Sequence, residues 1–447
     1  MAMKDSLGFD LTGATADALG HYERAQSELS RFVGDPVASA DAAIAVAPDF
    51  VMAHAFKGWL FALATEKEAT AAAKEFHAAA VKLGGNARER AHVAALGALV
   101  DGHWHAASQA LEDLTIEYPN DLLALQSGHQ IDFFTGNARM LRDRIARALP
   151  AWEQAMPGYH SVLGMQAFGL EETGDYGKAE AAGKRAIELE PRDGWAQHAV
   201  AHVMEMMSRQ RDGIAWMRAN PDAWTKESFF QVHNWWHLSL YHYDLGEIDE
   251  VLKLYDGPIY GAKSPLALNM VDAAALLWRL MLGGHDVGDR WQGIADNWAP
   301  KATSANYAFN DAHAMMSFIG AGRTGLADDL IAAQREALAE GGDNAAFTRD
   351  VGLPVVLGLK AFGDGDYAQA VQLLRPVRAV AHRFGGSHAQ RDVIDLTLME
   401  AALRGGDAAL SAALASERFE LRQQSPLSGI FVERAKRVAD AAGGAGR

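Results

Sequence analysis

The chain has 447 residues, 49% of them apolar and 22% charged, and it contains no cysteine. Disulfides, a thiol nucleophile and any Cys-held zinc or iron–sulfur centre are therefore excluded. With 57 acidic against 41 basic residues the formal charge is −16, an acidic balance that argues against a nucleic-acid partner and against basic docking on anionic membranes.

The opening MAMKDSLGFDLTG is polar and charged and does not read as a signal peptide. No later run approaches the roughly 18 apolar residues that span a bilayer. The expected compartment is the cytoplasm, with no membrane partner. Pro is sparse, 13 in all, and the abundant Ala favours helix.

Turn signals recur along the chain. Asp101-Gly102, followed by Trp104 and Ala107, separates two helices, and Pro119 closes the unit. Thr135-Gly136-Asn137 marks the next turn. The clearest unit runs from His160 to Pro191: a helix from about Ser161 to Glu172, a turn at Gly174-Asp175, and a helix carrying Ala179 and Ala186 that Pro191 ends. This is the tetratricopeptide layout of about 34 residues per helix pair. Leu245-Gly246-Glu247 follows a long aromatic helix, and Asp256 to Pro265 is the longest break. Gly365-Asp366-Tyr367 with Ala370 repeats the turn of Gly174, and Gly405-Gly406-Asp407 marks the last one. Such pairs bury their apolar faces only by stacking. The expected fold is all-α: a single tetratricopeptide-type α-solenoid over 1–447, compact and curled, with residues 441–447 a frayed tail.

Polar residues cluster on the first helices of the middle and late pairs. QHAVAHVMEMM carries His198, His202 and Glu205; HNWWHLSLYHYDLG carries His233, Asn234, Trp235, Trp236 and His237. FNDAHAMM carries Asn310, Asp311 and His313, GGSHAQRDVID carries Gln390, Arg391 and Asp392, and SGHQIDFF adds His129. His198 and His202, like His233 and His237, are four apart and share a helix face. Two such His can reach one metal ion. The sequence requires no cofactor, but a divalent metal, if bound, would be held by His198, His202, His233 and His237. No H-E-x-x-H zinc motif, phosphate loop, G-x-S-x-G elbow or Rossmann fingerprint is present.

Several strings together resemble the tetratricopeptide repeat protein 38 family: FGLEETGDY (Phe168 to Tyr176), DGWAQHAVAHVMEM (Asp193 to Met206), HNWWHLSLYHYDLGEIDEVLKLYD (His233 to Asp256), GDRWQ (Gly288 to Gln292), FNDAHAMM (Phe309 to Met316), RDVGLP (Arg349 to Pro354), GGSHAQRDV (Gly385 to Val393) and SPL (Ser425 to Leu427). The similarity covers roughly residues 90 to 440. It implies the solenoid fold and implies that these polar residues belong to the family pattern; it implies no reaction.

The residue types suggest a small-molecule site with hydrolase- or lyase-like acid–base chemistry. Its catalytic group would be His198, His202, His233, His237, Asp311 and His313, with His233 or His237 as acid/base and Asp311 or Glu205 orienting it. Arg391 would clamp an anionic group with Asp392 holding its guanidinium. Asn234, Asn310 and Gln390 would donate hydrogen bonds, Trp235 and Trp236 would wall the site, and Glu205 and His129 would complete its binding surface. The alternatives are a peptide-binding scaffold with a protein partner, and a structural polar network that holds the repeats in register.

Overall fold

The computed structural model describes residues 3–444 and is almost entirely α-helical; Met3–Lys4 and Asp10–Leu11 form a short antiparallel ribbon. Among the described residues no helix is long and apolar enough to cross a membrane. Of the expected tail, residues 441–444 continue the last helix, Pro426–Gly444, and 445–447 lie outside the described residues.

Two compact units emerge. The first comprises residues 3–200, 220–231 and 341–343 among those described; the second comprises 201–219, 232–340 and 344–444. In the first, successive antiparallel helix pairs stack, among them Leu122–Phe134 with Ala138–Ala148 and Tyr159–Glu171 with Tyr176–Leu189. The last of these is the pair with the clearest sequence signature, and its second helix ends just before Pro191. Leu125, Leu141, Ile145, Val162, Phe168 and Trp195 form one buried cluster in this unit.

The second unit is built the same way from pairs such as Ala267–Leu282 with Arg290–Trp298, Ala308–Gly320 with Thr324–Ala337, and His388–Arg404 with Ala408–Leu421. Both units are tetratricopeptide-type stacks of helical hairpins. The break expected at Asp256 to Pro265 begins inside a π-helical turn, Tyr255–Ile259.

Helices distant in sequence meet inside the second unit. Buried Trp278 packs edge-on to Trp291 and near Phe362, and its indole N–H donates to Thr397 Oγ1 at 2.9 Å. Arg279 Nη2 donates to the Ala389 carbonyl at 2.6 Å, and Ser425 Oγ donates to Asp244 Oδ1 at 2.5 Å. The stack thus doubles back on itself within the unit, which a strictly nearest-neighbour solenoid does not do.

One backbone device makes the pairs. After Tyr159–Glu171 the chain reverses through Gly174 at φ 83°, with the Gly174 N–H bonded to the Glu171 carbonyl and the Asp175 N–H to that of Leu170, both at 2.9 Å. This double closure satisfies the last helical carbonyls and requires a left-handed residue. The bond that spans five residues recurs at His103→Ala98, Asn137→Asp132, Glu247→His242, His285→Leu280, Arg323→Phe318, Asp366→Ala361 and Asp407→Ala402. At Arg209→Met204 the left-handed residue is Ser208, at φ 54°, where the other turns named have glycine.

A left-handed non-glycine residue costs roughly 1–2 kcal/mol. Ser208→Gly is therefore expected to raise unfolding stability by about 1 kcal/mol. Gly174→Ala, where a Cβ meets nothing within 4 Å, is expected to lower it by about 1 kcal/mol through backbone conformation alone. Urea titration of both variants checks the pair; equal signs would contradict the account.

Candidate functional site

The Gly194–Met206 helix presents His198, His202 and Glu205 along one stripe, because residues three and four apart share a face. Its residues up to Val200 belong to the first unit and those from Ala201 to the second. His198 therefore sits in the first unit, where its ring packs on Phe168, Trp195 and Phe230 at 4.9–5.3 Å between centroids.

In the second unit His202 meets His233 and His237 of the Gln231–Asp244 helix. Their ring nitrogens come within 4.8 Å of one another. The His202 and His237 ring centroids are 4.3 Å apart, and those of His233 and His237 4.9 Å, nearly perpendicular. Two carboxylates set the rings. His233 Nδ1 lies 2.9 Å from both oxygens of Asp272, and His237 Nδ1 lies 3.0 Å from Glu205 Oε2. Trp236 stacks on His233 at 5.3 Å, with the Arg279 guanidinium 5.4 Å from the indole on the way to its carbonyl partners Ala275 and Ala389.

Electrostatics follow from burial. His237 is wholly buried and pushed well below the usual imidazole range, first by desolvation and then by the neighbouring His202, His233 and Arg279. Its Nδ1 and Glu205 Oε2 share one hydrogen bond. Burial pushes the Glu205 carboxyl up, against the pull of Arg422, His202 and Arg279. The side chain of His233 is 13% exposed and forms the accessible edge of the cluster.

Glu205 also lines a small polar cavity of about 30 Å³, with Gln210, Asp244, Arg279, Asp392, Arg418 and Arg422 around it. That volume holds one or two waters. Burial pushes Asp244 up; at Asp392 burial acts the same way but is overcome by Arg418, Arg422 and Arg279, which hold it well below the usual carboxylate range. Arg418 grips Asp392 with two bonds of 2.7 and 3.1 Å. The Nε–H groups of Arg418 and Arg422 are buried with no hydrogen-bond partner among the described residues. Tyr241 braces the wall: its hydroxyl donates to the Ala201 carbonyl at 2.6 Å, and its ring fills the space a Cβ on Gly213 would need.

The other expected residues go elsewhere. Asp311 accepts from Gln334 at 3.0 Å and burial raises it to about 7. His313 binds its own Phe309 carbonyl at 2.8 Å and is lowered to about 4, chiefly by burial. Gln390 closes a capping box with Ser387 at the start of its helix. Arg391 donates to the Gly386 carbonyl, so the guanidinium that holds Asp392 is that of Arg418. His129 lies in the first unit, edge-on to Phe168 and Trp195, and is lowered to about 3 by burial. Asn234 and Asn310 are both buried.

Sequence reasoning missed Asp272, Arg279, Asp244, Arg418 and Arg422. A signal existed for two of them: Asp272 and Arg279 are the only charges in the otherwise apolar ALNMVDAAALLWRLML.

No protein-family profile matches the chain. Among solved structures it is similar to one described as the human IFIT1 dimer with m7Gppp-AAAA, at 12% identity and a TM-score of 0.40, over 95% of this chain and 96% of that one. That comparison corrects one expectation. That structure is described with m7Gppp-AAAA; the exclusion of nucleic acid stood on net charge alone and is withdrawn. Net charge is a sum over the whole surface, whereas phosphate is met locally.

Asp311 supplies a pH test. Its folded value of about 7 exceeds the ordinary 3.8, so the fold favours the protonated form. Its full contribution is present below about pH 4 and is lost as pH rises to about 7, with a ceiling of about 4 kcal/mol. Asp311→Asn should gain stability relative to wild type across that window in urea titrations; a constant difference at all pH values would refute the buried neutral acid.

Proposed function

We propose that the second unit carries a binding site for an anionic small molecule, with the His237–Glu205 and His233–Asp272 pairs as its acid–base groups, in a member of the tetratricopeptide repeat protein 38 family. The family reading rests on the eight strings from Phe168 to Leu427. The observation that carries the site reading is the Glu205 carboxyl, which touches the His237 imidazole on one side at 3.0 Å and the arginine-lined cavity on the other. A carboxylate on Nδ1 fixes the tautomer and leaves Nε2 as the basic atom of a neutral imidazole.

Anion preference follows from the cavity wall. Three guanidiniums face one firmly ionised carboxylate, Asp392, and two that burial pushes towards neutrality, Glu205 and Asp244. Two of the guanidiniums keep an unmatched Nε–H, and a buried unmatched donor costs about 1–3 kcal/mol. A carboxylate or phosphate group would recover that cost and gain charge-assisted bonds. The cavity admits only a small group, so the rest of the ligand would lie along the accessible His233 edge. Proton transfer at His233 or His237 suits hydrolytic or eliminative chemistry.

Native mass spectrometry of tag-free protein tests this. The wild-type chain should carry an organic adduct, or shift its melting temperature with millimolar phosphate or dicarboxylates, and Arg422→Gln should lose the effect while keeping its helical spectrum. A clean wild-type mass and no shift with any anion would overturn the reading.

A further inference from the structure

The three imidazoles of the second unit are arranged as metal ligands. Each of His202, His233 and His237 offers a ring nitrogen within 4.8 Å of the others, and small side-chain rotations would bring them to the spacing of about 3.4 Å that donors adopt around a tetrahedral ion with bonds of about 2.0–2.1 Å. Two of the three are held as metal-binding histidines are held. A ligating His donates its other ring N–H to a carboxylate or carbonyl, which fixes the ring and makes the coordinating nitrogen more basic. Asp272 does this for His233 at 2.9 Å and Glu205 for His237 at 3.0 Å, both at Nδ1, which puts coordination at Nε2.

The rings come from two helices. His233 and His237 stand one turn apart on Gln231–Asp244, and His202 comes from the helix that also supplies Glu205. His202 and His237 are fully buried, a setting that would shield a bound ion from water. The buried Asp272 side chain behind His233 also suits a cation, and Trp236 stacked on His233 keeps its plane from rotating.

We propose that His202, His233 and His237 bind a divalent transition metal, zinc in the first instance, with Asp272 and Glu205 as positioning residues. An all-imidazole set favours zinc, copper, iron or nickel over magnesium or calcium. The metal site rests on the same two carboxylate–imidazole pairs and gives them ligation in place of proton transfer, since an Nε2 bound to metal cannot take up a proton; the anion reading of the arginine-lined cavity is independent of it.

The test is titration of chelator-stripped, tag-free full-length protein with cobalt(II), followed by zinc competition. One equivalent of cobalt should give the visible absorption of a low-symmetry nitrogen site, and zinc should abolish it. His202→Ala and His233→Ala should each lose the absorption. Asp272→Asn and Glu205→Gln should retain it with roughly 10–100-fold weaker affinity, a graded effect that a merely structural role would not give. Circular dichroism of every variant guards against misfolding. Wild-type protein that stays colourless, or the same absorption in folded His202→Ala and His233→Ala, would overturn the metal site. An organic adduct lost in Arg422→Gln would leave the small-molecule reading standing even then.

Discussion

Everything in this molecule depends on reversing a helix within three residues. A helix end leaves carbonyls unpaired, and the tightest closure that pairs them needs one residue in a left-handed conformation. The chain meets that need again and again with a glycine followed by a residue whose N–H reaches back five positions. Antiparallel pairs follow, and the stacking of pairs follows from the apolar faces they share. The turn after Gly194–Met206 is built on Ser208 instead. It is also the turn whose N–H holds the Glu205 carbonyl at 3.0 Å, so the least comfortable backbone in the series anchors the carboxylate that joins the imidazoles to the cavity.

The second constraint is the burial of charge. Asp272 and Arg279 are the only charged residues of a largely apolar helix, and both are buried. Removing ions from water is costly unless each finds a partner of good geometry. The unit answers with a connected set: Asp272 to His233, Glu205 to His237, Arg418 to Asp392, and Arg279 to two backbone carbonyls. A network of this kind is stiff when satisfied. Its unmatched donors, the Nε–H groups of Arg418 and Arg422, fall at the cavity wall.

Much of the fold was legible in the sequence, because its punctuation is local. A Gly-Asp-Tyr run with Ala three residues on announces Gly174 and Gly365; the turns at Gly284 and Gly322 lack the Asp-Tyr and escape notice although their geometry is the same. Within the site, His202, Glu205, His233 and His237 were legible from helical spacing alone. Their partners were not, because which carboxylate meets which imidazole is decided between helices. Local geometry also separates neighbours: consecutive helical residues point about 100° apart, so Arg391 turns to Gly386 while Asp392 turns to Arg418. Asp311 and His313, two apart, face different surroundings for the same reason. Gln390 carried a readable signal, the S-x-x-Q of a capping box, that its polar neighbours obscured.

The bonds that tie sequence-distant helices together in the second unit bear on how it assembles. A simple repeat array gains stability one neighbour at a time and can fray from an end. Here Thr397 receives the Trp278 indole and Ser425 reaches Asp244, 119 and 181 residues away along the chain. Long loops must close before those contacts form, which slows folding. In return, loss of the last helices removes partners from the middle ones. The expected consequence is that the unit melts as one cooperative body, and that a ribosome must release Ser425 before the residues around Asp244 are complete.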